Sequence, residues 1–349
     1  MDYIEIEGYK SIKKAKIELR PLNILIGANG SGKSNFISFF EFLRIAYEQE
    51  LQAYVAGRGV DKFLFNGRKI TNSIRSKIKF TNNSYELTLT LNNKNFVVTS
   101  EILWYGDRDF DISRYDFELK IKASSLFRAK FIRNYLNSLR KFHFHDVGEL
   151  SPFNNDVNIF DNRTLQSKGG NLAAVLYKLQ NDEPKTYNLI VQIIQSIAPY
   201  FKDFDLQPNG SLISLAWRDK FSENLYSATN LSDGTLRFIA LTVLFMQPNP
   251  PEVIIIDEPE LGLHPFAVAK LAGMMRSVKG KGSQVIVATQ SVELLNHFEA
   301  DDIITVDNIN GESVFNRLSS EKLSVWLEDY TLGDLWKMNI IDAAQPNRL

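Results

Sequence analysis

The chain opens with apolar and polar residues in alternation. Residues 3–7 (YIEIE) and 16–18 show the period of two that predicts short strands. Residues 22–26 (LNILI) form a compact apolar run, which predicts a buried strand. That run ends in GANGSGKS, residues 27–34, and the Phe- and Leu-rich residues 35–47 behind it predict a helix. From about residue 74 to residue 122 the period of two returns. Residues 85–91 (YELTLTL), 96–99 and 115–122 (YDFELKIK) predict strands of an antiparallel lobe, with Asn82-Asn83 and Asn92-Asn93 as turns. From residue 124 to about 201 helical spacing takes over, in 126–139, 171–179 (NLAAVLYKL) and 187–198, the last closed by Pro199. Residues 211–217 predict one more strand.

The last third alternates strand and helix. Residues 253–256, 284–288 and 303–306 predict strands, and 236–245, 265–278 and 292–298 predict helices. Such a rhythm implies a mainly parallel sheet with right-handed crossovers. Residues 22–26 are expected in that same sheet. The expected fold is therefore α/β: a mixed, mainly parallel sheet built from both ends of the chain, an antiparallel β lobe, and an inserted helical subdomain. The matching segments are 1–70, 71–123, 124–218 and 219–349.

Composition narrows the function. The chain has 349 residues, 44% of them hydrophobic, enough for a large packed core. A net charge of -1 gives no whole-chain basic field for nucleic acid. The absence of cysteine excludes disulfides, thiolate zinc sites and cysteine nucleophiles. No apolar run approaches the roughly 20 residues of a membrane span, and no basic-then-apolar leader precedes the first strand. A soluble, cytoplasmic chain without membrane attachment is the expectation.

Two segments carry explicit chemistry. GANGSGKS fits G-x-x-x-x-G-K-[ST] in full, between a strand and a helix. Its glycines let the backbone wrap tightly, so that successive N–H groups point at phosphate oxygens beside a helix N-terminus. Lys33 can reach the β- and γ-phosphates, and the Ser34 hydroxyl can bind Mg²⁺. Residues 253–256 lead into DEPELGLHP, residues 257–265. Two adjacent carboxylates at a strand end are costly without a cation nearby. Asp257 suits Mg²⁺, and Glu258 can orient or deprotonate a water. A third segment, LSDGT at residues 231–235, reads either as an ordinary N-capped helix start or as a phosphate-capping turn.

GANGSGKSN, LSDGTLRF, DEPELGLHP and ATQS occur in this order. Together they resemble the ABC-class ATPases of the RecF/SMC/OLD-like branch, in particular the short bacterial ATPases without a long coiled coil. GYKSIKKAKIELRPLNILIGANGSGKSN, NLAAVLYKL and LGDLWKMN strengthen the resemblance, which is weak across residues 71–165. LSDGT departs from the usual LSGGQ signature at Asp233 and Thr235, and the Asp is common in this branch.

The resemblance implies an ABC ATPase head of P-loop NTPase fold, in which two subunits sandwich two ATP molecules with Mg²⁺. Gly27, Ala28, Asn29, Gly30, Ser31, Gly32, Lys33, Ser34 and Asn35 would line the nucleotide. Ser34 and Asp257 would hold the metal, and Glu258 and Lys33 would serve hydrolysis. Ser232 and Gly234 of the other subunit would cap the γ-phosphate, and residues 260–264 fall at the D-loop. Gln290 stands where the family has its switch histidine; a glutamine can hydrogen-bond a phosphate or water but takes up no proton at neutral pH. Gln49 and Gln52 lie too early to be the Q-loop glutamine.

The same resemblance implies a homodimer or higher oligomer closed across ATP, serving bacterial defence or DNA repair. Nucleic acid and a separate effector, such as a nuclease or toxin, are the implied partners. The alternatives are an ATP-dependent scaffold with slow turnover and no DNA contact, and a transporter ATPase. Two features stay outside these roles. His143 and His145 suit an alternating strand or a metal pair. Arg128, Lys130, Arg133, Arg140 and Lys141 suit a solvated helix face or a nucleic-acid contact.

Overall fold

A computed structural model describes residues 1–148 and 150–341. The chain divides into two compact units. The first comprises Met1–Lys141, Glu252–Ile255 and the described part of Gln284–Leu349; the second comprises Phe142–Pro251 and Ile256–Ser283.

The first unit holds an antiparallel sheet in the order Ile12–Glu18, Tyr3–Tyr9, Ser73–Phe80, Asn83–Asn92, Asn95–Tyr105, Arg108–Asp111. The two N-terminal strands thus join the lobe expected further along the chain, with Tyr3 opposite Lys79. The central sheet has the order Glu312–Arg317, Ile303–Ile309, Leu22–Ile26, Gln284–Ala288, Val253–Asp257, Arg140–Phe142. Leu22–Ile26 pairs in parallel on both edges, with Ala288 opposite Leu25 on one side and Ile304 opposite Leu25 on the other. All five of its residues are buried, which is why the run is apolar without alternation but for Asn23, whose amide is satisfied by the Arg20 and Val285 backbone. The mixed α/β architecture and the mainly parallel sheet agree with the reading of the sequence.

Helix Lys33–Glu48 follows the glycine loop and is anchored to both sheets. Tyr9 meets Phe39 and Phe42 at ring-centroid distances of 4.9 and 5.3 Å, and Phe42 meets Phe96 at 6.1 Å, all toward the antiparallel sheet. Phe36 meets Phe315 of the central sheet's edge strand at 5.4 Å. Each aromatic pair adds about 0.5–1.5 kcal/mol beyond its buried area. The helix start is therefore held from two sides.

In the second unit, helices Leu172–Asp182, Pro184–Ile197, Asp233–Met246 and Pro265–Val278 accompany a small sheet, Phe201–Phe204, Ala216–Asp219 and Leu225–Ser227. Phe201 and Trp217 stack in its core, with the half-buried Tyr226 stacked on Trp217. Among the described residues no helix is long and apolar enough to cross a membrane.

Four local expectations need correction. Residues 115–122 form no strand beyond a single bridge between Asp116 and Val98. The cause is Glu101, fully buried on the neighbouring strand. Its carboxylate accepts the backbone N–H groups of Lys120 (2.7 Å) and Ile121 (2.9 Å) and the Tyr85 hydroxyl (2.9 Å), which bends the segment into a helical turn. Burial pushes the Glu101 carboxyl above its ordinary range against the pull of these donors. Residues 211–217 split into Leu212–Ile213 and Ala216–Asp219, which pair with different strands. Arg140 and Lys141 lie on a strand, not on helix Phe127–Ser138 with Arg128, Lys130 and Arg133. His143 and His145 lie beyond that strand's end.

Replacing Glu101 with Ala leaves three donors without their acceptor in a dry site. At about 1–3 kcal/mol each, the loss of stability should reach at least about 3 kcal/mol, read by urea denaturation.

Candidate functional site

The glycine loop sits between Leu22–Ile26 and Lys33–Glu48, as the spacing requires. Ala28, Asn29, Gly30 and Ser34 are exposed, whereas Ser31, Gly32 and Lys33 are buried. Lys33 folds over the loop, its Nζ donating to the carbonyls of Gly27 (2.7 Å) and Ala28 (2.9 Å). The ammonium thus lies within the curve where phosphate charge would gather. Ser31 Oγ is buried and has no hydrogen-bond partner among the described residues, as suits a loop built to receive acceptor oxygens.

A relay of hydroxyls braces this loop. Asn35 Nδ2 donates to Ser11 Oγ at 2.7 Å. Ser11 Oγ donates to Ser313 Oγ at 2.7 Å, which in turn donates to the Ser31 carbonyl at 2.7 Å. Gly32 caps the helix at φ 115°, and a Cβ there would come 1.9 Å from Ser313 Oγ. Only glycine fits both the angle and the space. Ser11 and Ser313 were missed as site residues. Ser11 lies within the GYKSI segment that carries the resemblance, and Ser313 has no motif around it.

Gln290 belongs to the same unit. It follows strand Gln284–Ala288, whose Ala288 pairs in parallel with Leu25, so Gln290 and Gly27 leave adjacent strands at the same end. Thr289 N donates to the Leu25 carbonyl at 3.0 Å, and the Gln290 side chain is exposed beyond it. The structure thus brings the loop, Lys33, Ser34, Asn35 and Gln290 to one end of one sheet.

Asp257, Glu258, Ser232 and Gly234 belong to the second unit. Asp257 ends its strand, and Glu258 follows with φ 47°. A left-handed residue other than glycine costs of order 1–3 kcal/mol and persists only where its surroundings impose it. Leu261 N donates to the Glu258 carbonyl at 3.2 Å, closing the turn. His264 caps the next helix, its Nδ1 accepting from Phe266 N at 3.3 Å. Ser232 caps helix Asp233–Met246, its Oγ accepting from Thr235 N at 3.2 Å. Both readings of LSDGT therefore share one geometry: the turn is an N-cap, and its Ser232 and Asp233 are exposed.

The Ser232 turn and the 258–264 turn touch through backbone. A Cβ on Gly234 would lie 2.5 Å from the Gly262 carbonyl oxygen. A pocket of about 500 Å³ opens beside them, lined by Ser196, Ser232, Gly234, Gly262, His264 and Phe266 among others. His145, set aside in the sequence, has its Nε2 3.2 Å from the Asp257 carbonyl oxygen. No local signal marks that contact, although HFH stands out as a pair. Among the described residues no group of three or more His, Asp or Glu gathers as a metal cluster, at His143 and His145 or elsewhere.

A family model described as "AAA domain, putative AbiEii toxin, Type IV TA system" matches residues 22–296, most of the chain. Among curated proteins, the energy-coupling factor transporter ATP-binding protein EcfA of Methanocaldococcus jannaschii is 36% identical over 67 residues. That match covers 19% of this chain and 23% of EcfA, so the chain spans under a quarter of that relative's length. Among solved structures, an SMC head bound to the C-terminal winged-helix domain of ScpA is similar with a TM-score of 0.60 at 19% identity. It covers 92% of this chain and 98% of that one. An SMC head with an extended coiled coil, bound to a ScpA domain derived from Pyrococcus furiosus, gives 0.56 at 17% identity, covering 94% and 98%. At these identities the likeness establishes the fold.

Gly32→Ala should weaken ATP binding at least about tenfold, because its Cβ must displace the brace that shapes the loop. Titration with a fluorescent ATP analogue reads this directly, and unchanged affinity would remove the loop from the binding site.

Proposed function

We propose a dimeric ATP switch for this chain, which belongs to the AAA domain family just described and is an ATPase of the SMC/ABC-like type. In this reading the N–H groups of residues 27–34 and the Lys33 ammonium hold the β- and γ-phosphates. Ser34 and Asp257 would hold Mg²⁺. A hydroxyl and a carboxylate are the hard oxygen donors this ion takes, and it needs few protein ligands beside phosphate and water. When bound, the ion neutralises charge on the phosphates. Glu258 orients a water and takes its proton as the water oxygen bonds to the γ-phosphorus and the bond to ADP breaks. Gln290 donates a hydrogen bond to the γ-phosphate or the water. The exposed Ser232–Gly234 turn of a second copy closes over the γ-phosphate from the other side, a helix N-terminus facing negative charge.

The observation that carries this reading is the glycine loop itself: it joins strand Leu22–Ile26 to helix Lys33–Glu48, Lys33 Nζ folds over it, and Gln290 leaves the neighbouring parallel strand Gln284–Ala288 at the same end. Ligands of α/β sheets collect at such strand ends.

For the partner we propose a separate effector protein, a nuclease or toxin, that reads the ATP-closed dimer in the cytoplasm. The family description names a putative toxin of a type IV TA system, and the similar SMC heads are bound to a domain of another protein; both support this reading. Nucleic acid then enters as the effector's target. Helix Phe127–Ser138 offers it little: Arg128 lies 3.7 Å from the centre of the Tyr105 ring, and Arg133 donates to the Ser124 carbonyl. Those cations are engaged within the fold.

Two variants test the switch. Lys33→Ala should abolish ATP binding, and retained tight affinity would remove the phosphate-loop assignment. Glu258→Gln should bind Mg·ATP, hydrolyse it at least about a hundredfold more slowly, and elute as a dimer in size-exclusion chromatography with Mg·ATP. A strict monomer under those conditions would refute the shared site.

A further inference from the structure

We infer that Arg237 and His145 are positioning residues that fasten the helix behind the Ser232 turn to the turn that carries Glu258. Arg237 lies about one turn into helix Asp233–Met246. Its Nη1 donates to the Leu261 carbonyl at 2.9 Å, and its Nη2 donates to the His145 carbonyl at 3.2 Å. One planar guanidinium therefore ties three segments that are far apart in sequence. Gly262, at φ 78°, leaves room for it, since a Cβ there would come 2.8 Å from Nη1. The tie continues on both sides. Leu261 N donates to the Glu258 carbonyl, and His145 Nε2 lies 3.2 Å from the Asp257 carbonyl oxygen. A carbonyl only accepts, so Nε2 carries the proton in that bond.

The direction of the tie matters. Glu258 sits in a left-handed conformation that its surroundings must impose. The Ser232 turn and Gly262 are already in backbone contact through Gly234. A shift of the Ser232 helix on meeting a phosphate therefore moves Leu261 directly, and Leu261 holds the carbonyl of Glu258. Arg237 touches no reacting atom in this scheme. It sets where the water-activating carboxylate stands.

This rests on the reading of Glu258 as the water-activating residue. The test uses the full chain, with Mg·ATP turnover, binding of a fluorescent ATP analogue and thermal unfolding measured together. Arg237→Met should lower kcat about ten- to a hundredfold, with KM and analogue affinity within about threefold of the parent. His145→Ala should lower kcat about tenfold, and His145→Gln, which keeps a donor, should restore most of it. The double variant Arg237→Met/His145→Ala should be no slower than Arg237→Met alone, because the two act as one unit. Arg237→Lys can satisfy only one carbonyl well and should fall between parent and Met. A merely structural role would lower the unfolding temperature and the fraction of chains that bind nucleotide, but not the turnover per binding chain. Unchanged turnover per binding chain in Arg237→Met, with Glu258→Gln inactive, overturns the tie alone. Full turnover in Glu258→Gln instead removes the reading beneath it.

Discussion

Backbone N–H groups can grip a triphosphate only where no side chain stands in their way, and that requirement organises the first unit. A glycine-rich loop has little to brace it from within beyond Lys33, whose Nζ donates to the Gly27 and Ala28 carbonyls. It is also braced from outside, through Ser313 and Ser11, whose hydroxyls reach the Ser31 carbonyl and Asn35. The helix behind it must also stay put, because its N-terminal field acts over about one turn. The aromatic contacts of Phe36, Phe39 and Phe42 to two sheets supply that fixity. Core packing and phosphate binding are in this sense one problem.

The second unit uses backbone packing for a different end. Gly234 against Gly262 leaves no rotamer between two turns to absorb a displacement. Contacts between side chains can give by changing rotamer; contacts between backbones shift the chain. Holding Glu258 in a left-handed conformation requires such stiffness. It also makes the position of that carboxylate sensitive to whatever moves the neighbouring helix.

Much of this was legible in the sequence where burial is complete or the chemistry is local. Residues 22–26, 284–288 and 265–278 were read to the residue, because apolar runs bounded by Gly, Pro or polar turns leave little choice of end. The place of the glycine loop, between strand Leu22–Ile26 and helix Lys33–Glu48, was legible because its motif is eight consecutive residues. What failed was set at a distance. Residues 115–122 alternate as a strand does, yet a single buried carboxylate at Glu101 captures their N–H groups. The HFH pair alternates as well, but His145 meets Asp257 across 112 residues of sequence. Ser313 looks like any serine on an edge strand, and only its contact with the loop gives it meaning.

The central sheet turns this contrast into a constraint on the whole chain. Leu22–Ile26 pairs on one side with residues from 285 onward and on the other with residues from 303 onward. Until those segments arrive, both its edges carry unpaired N–H and C=O groups in a run that is apolar apart from Asn23, a poor state in water and an invitation to aggregate. Pairings at such separation are entropically costly and form late. The phosphate loop is thus complete as a motif within eight residues, yet its shape depends on the last third of the chain. Ser313 makes the same point atom by atom, since the loop's brace cannot exist before strand Glu312–Arg317 is in place. Nucleotide binding is therefore a property of the assembled sheet, and any change that loosens strand Ile303–Ile309 or Glu312–Arg317 acts on the loop without touching it.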